Sequence, residues 1–147
     1  MDIYENAGKS YSYEEAKKRA KEFYKTIGVI WCPTLNTDIF FTREGFDHLI
    51  GKRGILRPKS EQRRRFDLLL LAKEILTDPA ARFTCEKKLI IYRTKINGAY
   101  TTIHATAHFW IFQKEYGVKI VTLVIKQIDD HPKHFLSIFE RTRKAAQ

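Results

Sequence analysis

The 147-residue chain carries 27 lysines and arginines against 17 acidic residues, a formal net charge of +10 and a pI near 9.7. That length suits one domain, and a hydrophobic content of 44% argues for a real core and against global disorder. No apolar run reaches the ~20 residues of a membrane span, the opening MDIYENAGKSYSYEEAKKRA lacks the apolar stretch of a Sec signal, and Cys32 and Cys85 are too few for a disulfide framework or a cysteine-rich zinc site.

The expectation is one cytoplasmic domain over 1–147 with reduced thiols, no membrane association, and flexible ends at 1–11 and 141–147. A first helix is predicted over 12–27. Ser12 and Glu15 have capping-box spacing, Ala16, Ala20, Phe23, Tyr24 and Ile27 share one face, and Gly28 ends it. Two extended pieces, 29–32 and 38–41, follow. Thr42 is placed to cap a short helix over 43–50, from which Phe46, Leu49 and Ile50 pack inward while His48 only partly shares their face.

Residues 51–59 read as a basic loop. Ser60 is expected to cap a third helix over 61–76, with Phe66, Leu69, Leu70, Lys73 and Leu76 along one stripe and Arg63, Arg64 and Arg65 in its first turn; Asp78-Pro79 stops it. The second half reads as strands. A run over 87–95 enters Asn97-Gly98, a strong hairpin signal, and returns over 100–112. Further strands are expected over 118–128 and 133–139, separated by Asp129-Asp130-His131-Pro132. Helices followed by an antiparallel meander make an α+β fold, with N-terminal helices packed on one face of a roughly four-stranded antiparallel sheet.

Alternation along 100–112 separates two faces. Thr101, Ile103, Ala105, Ala107, Phe109 and Ile111 form an apolar set suited to helix packing, and Tyr100, Thr102, His104, Thr106, His108, Trp110 and Phe112 a polar and aromatic one. The second set is expected on the uncovered face, with Thr122 and Lys126 beside it. Such a face can stack on bases and contact phosphates, or be an ordinary solvent-facing sheet.

Charge is distributed unevenly. Residues 1–50 are near balance, 51–65 hold seven cations against Glu61 alone, and 83–147 hold eleven cations against five acids. A polyanion, most often nucleic acid, is the matching partner; the alternative is charge kept for solubility. Carboxylates for a two-metal site are sparse beyond the first fifty residues. Asp78 with Glu86-x-Lys88 is only a faint nuclease pattern, Asp129, Asp130, His131 and His134 read as a polar turn or a metal site, and His104-x-x-x-His108 lies on a strand rather than a zincin helix. Metal-free RNA cleavage needs a base, an acid and cations, which His, Lys and Arg can supply. No cofactor is implied.

Three segments, TREGFDHLI at 42–50, RRRFDLLLLA at 63–72 and VIKQIDDHPKHFLSI at 124–138, together resemble the phage and mobile-element nucleases grouped with barnase, EndoU, colicin D-type and RelE-type toxins. The resemblance spans most of 11–140 and implies helices on a four-stranded antiparallel sheet and metal-independent endoribonuclease activity, often on tRNA. It carries over to His48 and to Lys133, His134, Phe135 and Ser137; Leu136 stands where members often have an aromatic residue. An active toxin of this kind implies an acidic immunity or antitoxin protein.

The expected catalytic residues are therefore His48, His134 and Lys133. The expected RNA-binding residues are Lys52, Arg53, Arg63, Arg64, Arg65, His104, His108, Lys126 and Ser137. Each has a plainer alternative: a surface histidine, a solvated helix start or a turn cap. Consecutive arginines at a helix start oppose its dipole and need a compensating anion, for which RNA phosphate is a candidate. The alternative function is a non-catalytic basic nucleic-acid-binding module.

Overall fold

The computed structural model describes residues 11–144. Helix α1 spans Tyr13–Ile27; Ser12 Oγ accepts from Glu15 N–H at 3.1 Å, and Gly28 closes it at φ 61°. Strands β1 (Val29–Cys32) and β2 (Thr37–Phe40) form an antiparallel hairpin. Helix α2 spans Arg43–Ile50, but the Thr42 side chain makes no capping bond; its carbonyl instead accepts from Gly45 and from the Tyr24 hydroxyl.

The basic loop closes as a small hairpin, β3 (Gly51–Lys52) and β4 (Ile55–Leu56), around Arg53 and Gly54, both at positive φ. Glycine meets that requirement without strain; Arg53 pays for it. The third helix begins earlier than expected and is not one helix. It divides into α3 (Lys59–Leu68, with Pro58 at the N-cap position, no side-chain capping bond, and the expected cap Ser60 already inside the helix), a 3₁₀ turn (Leu69–Leu71) and α4 (Ala72–Thr77). The run after Arg65 explains the division. Phe66, Leu68, Leu69, Leu71, Ala72, Ile75 and Leu76 are all buried, more than one α-helical stripe can hold, and the tighter 3₁₀ turn rotates successive leucines inward.

Strands β5 (Arg82–Ile96), β6 (Ala99–Tyr116), β7 (Lys119–Ile128) and β8 (His134–Thr142) form the expected meander, with Asn97 and Gly98 at φ 50° and 82° in the first turn. The sheet is larger than expected and mixed. Six strands lie in the order β1-β2-β8-β7-β6-β5, with β2 parallel to β8 through Phe40↔His134. The bond from Phe40 N–H to the Lys133 carbonyl, 3.0 Å, attaches the early hairpin to the last strand. Of the expected flexible ends, 1–10 and 145–147 lie outside the described residues, while Arg141 and Thr142 belong to β8.

The two faces of β6 are assigned differently from the alternation reading. The register pairs Trp110 with Ile125 and Phe112 with Leu123, so the even-numbered aromatics share a face with β7's apolar set. Phe112, Val121, Leu123, Ile125, Phe135 and Ile138 form one core with the helices, and Trp110 packs against it. Trp110 and Phe112 therefore do not belong to an open face. Beyond Ala107↔Ile128 no third strand continues, and residues 89–106 extend as a two-stranded ribbon. No described helix is long and apolar enough to cross a membrane.

Candidate functional site

Helix α2 lies directly against β8. A Cβ on Gly45 would stand 2.5 Å from the Phe135 carbonyl and 2.6 Å from the Tyr24 hydroxyl, so glycine sets the closeness of that packing. The neighbouring Glu44 is thereby held over two residues that the β7–β8 register places side by side, Lys126 and His134. Glu44 Oε1 lies 3.3 Å from Lys126 Nζ, and Glu44 Oε2 lies 3.1 Å from His134 Nε2, an ion-pair approach rather than an aligned hydrogen bond. The lysine and the histidine are mostly covered, while the glutamate is half exposed. One carboxylate, one amine and one imidazole thus meet with the carboxylate accessible.

His48 lies one helical turn beyond Glu44. Both line a groove of about 430 Å³ whose opposite wall is the β3–β4 hairpin, with Lys52, Arg53, Ile55 and Leu56. Arg57 ties that hairpin to α2: its Nε donates to the His48 carbonyl at 3.0 Å and its backbone N–H to the Ile50 carbonyl at 2.8 Å. Burial first, then the charges of Arg57, Arg65 and Lys52, pull the His48 imidazole down to about 4. It is neutral at pH 7 and cannot act as an acid there.

Of the expected site residues, His48, His134, Lys126, Lys52 and Arg53 thus surround or line the Glu44 region. Others are placed elsewhere. Lys133 lies over the Trp110 ring, 4.8 Å from its centroid. Arg63 donates to the Tyr11 carbonyl at 2.6 Å. Arg64 forks onto the Glu140 carboxylate at 2.5 and 2.6 Å. Arg65 is buried, donating to Ser137 Oγ at 2.9 Å and to Glu61 at 3.1 Å. The anions beside Arg64 and Arg65 are therefore the protein's own carboxylates, and Ser137 is buried with Arg65.

His104 is exposed on the ribbon. His108, at the ribbon's base, stacks on Trp110 with centroids 5.7 Å apart and has a buried Nδ1 without a partner. The Asp129 carboxylate accepts from the Thr106 N–H at 2.9 Å, so it closes a turn, and Asp78 pairs with Lys114 at 2.8 Å. Among the described residues no three His, Cys, Asp or Glu side chains gather as metal ligands would.

Glu44 and Arg57 are the residues that sequence reasoning missed. The signal for Glu44 was present: it stands four residues before His48, hence on the same helix face. Nothing in the sequence marks its meeting with residues of β7 and β8. No family model, no curated protein and no solved structure matches this chain.

Proposed function

We propose that the protein is a metal-independent endoribonuclease acting at the Glu44 cluster. The observation that carries this reading is the single half-exposed carboxylate of Glu44 set between Lys126 and His134, at 3.3 and 3.1 Å, at the edge of a groove lined by Lys52 and Arg53. In-line attack by a 2′-OH needs a proton acceptor, a proton donor and a cation at phosphorus. Glu44 is the accessible acceptor. His134 hands a proton to the departing 5′-oxygen, and Lys126 stabilises the charge that develops on the phosphorane. The bond from phosphorus to the 5′-oxygen breaks as that to the 2′-oxygen forms, leaving a 2′,3′-cyclic phosphate and a 5′-hydroxyl. Neutral His48 positions the groove wall and is not the acid.

This activity is the one the resemblance to the barnase, EndoU and RelE-type nucleases implies. The second reading is a non-catalytic RNA-binding module; what favours it is that Lys133 is turned onto Trp110, away from the Glu44 carboxylate's immediate partners. Purified protein incubated with total tRNA in EDTA separates the two. Under the enzyme reading, wild type cleaves, and Glu44→Gln and His134→Ala each reduce the rate by about 10²-fold or more. RNA that stays intact at protein concentrations that bind it leaves the binding module.

A further inference from the structure

Beyond its pairing with β7, the β5–β6 hairpin leaves the body of the protein as a ribbon roughly 25 Å long. Its register sorts its side chains by chemistry. Lys87↔His108, Leu89↔Thr106, Ile91↔His104, Arg93↔Thr102 and Lys95↔Tyr100 are opposite pairs, so all ten side chains share one face. Three cations and two imidazoles lie there, while Lys88 turns to the other side over Phe109. From Lys87 to Lys114 the sequence contains no Asp or Glu. On the same face Leu89, Ile91 and Tyr100 are 83%, 67% and 68% exposed.

Two kinds of occupant suit a long exposed edge: a second copy adding a strand, or a polyanion. Antiparallel self-pairing of β5 centred on Ile91 would set Lys87 against Lys95 of the second copy, and centred on Ile90 would set Lys87 against Arg93, like charge facing like charge. A polyanion removes that conflict. Exposed Tyr100, flanked by Arg93 at 5.4 Å and Lys95 at 5.9 Å, offers a ring for stacking on an unpaired base between two phosphate contacts. The ribbon face continues as far as Trp110, on which His108 stacks and over which Lys133 lies.

We infer that the β5–β6 ribbon is a binding arm for single-stranded RNA, with Lys87, Arg93 and Lys95 on phosphates and Tyr100 stacked on a base. This rests on the proposed function for the nature of the polymer, and its test is separable from it.

The probe is a fluorescein-labelled, fully 2′-O-methylated single-stranded RNA, which cannot undergo 2′-OH attack. Affinity is measured from 50 to 200 mM KCl for wild type, for the Lys87→Ala/Arg93→Ala/Lys95→Ala variant and for Tyr100→Ala. The triple variant is expected to weaken binding more than about tenfold and to flatten the slope of log affinity against log salt by about 2, three phosphate contacts being lost. Tyr100→Ala is expected to weaken binding at least about fivefold with the slope unchanged.

Unchanged affinity and slope in the triple variant would overturn the arm. So would tighter, arm-dependent binding of a duplex DNA of the same sequence, or a stable dimer of the free protein that buries the ribbon. Cleavage of unmodified RNA is scored separately. Arm-dependent binding without any cleavage overturns the enzyme and keeps the arm; cleavage with arm-independent binding overturns the arm alone.

Discussion

Arg65 is a charged side chain placed among core residues, and its surroundings set what its loss costs. It donates to Ser137 Oγ and the Ile138 carbonyl and pairs with Glu61. Arg65→Ala leaves those acceptors without their donor, and a loss of about 3 kcal/mol in urea unfolding is expected. His48 gives a pH signature. Its imidazole is held at about 4 in the folded protein against 6.5 ordinarily, so between these values the unfolded chain binds the extra proton. The stabilisation is complete above about pH 6.5 and is lost as pH falls toward 4. Unfolding measured at pH 7 and pH 4.5 should show this loss, and His48→Gln should flatten it; in NMR the His48 ring protons should titrate near 4 in the native protein. At this scale local chemistry was legible: the Ser12–Glu15 cap and the Asn97-Gly98 turn depend on neighbours in sequence. The partners of Arg64 and Arg65 were not, because Glu140 and Ser137 lie 76 and 72 residues away.

Among the elements, α2 is the one whose placement decides the candidate site. Gly45→Ala improves intrinsic helix propensity by up to about 1 kcal/mol, yet its Cβ meets backbone and ring atoms of Phe135 that cannot rotate aside. A net destabilisation of about 2 kcal/mol is expected, with Glu44 displaced from Lys126 and His134. The ribbon behaves oppositely. Most of its side chains are exposed or half exposed, so excising residues 91–104 and joining Ile90 to Ala105 through Asn-Gly should leave the thermal midpoint within about 3 °C. A collapse of the midpoint would show that the ribbon supports the core. Strand existence and the hairpin were legible from periodicity and turn residues. The face assignment held for Ala105 and Ala107, which are buried, and for exposed Tyr100, Thr102 and His104, and failed at Trp110 and Phe112, because alternation defines two sets without saying what each will meet; the β6–β7 register sets these two beside β7's apolar residues.

At the scale of the whole molecule, fold class was legible and topology only in part. The helices-then-strands order is an α+β pattern, but the parallel junction of β2 with β8 joins the two ends of the chain through one residue pair that no local signal announces. That junction matters, because α2 follows β2 and is carried with it onto β8. The charge distribution was also legible, and the fold makes it more specific. Part of the excess charge is neutralised internally at Arg64 and Arg65, and a continuous acid-free stretch is left on the ribbon.

Glu44 meets Lys126 across 82 residues of sequence, so their union is a product of the tertiary fold alone. The claim that this union is catalytic is tested most directly with two single-stranded oligonucleotides of one sequence, one all ribose and one all 2′-deoxy, incubated with the wild-type protein in EDTA. Cleavage of the ribose strand alone is expected, with 2′,3′-cyclic phosphate and 5′-hydroxyl ends. Both strands remaining whole while bound, or both being cut alike, would contradict that claim.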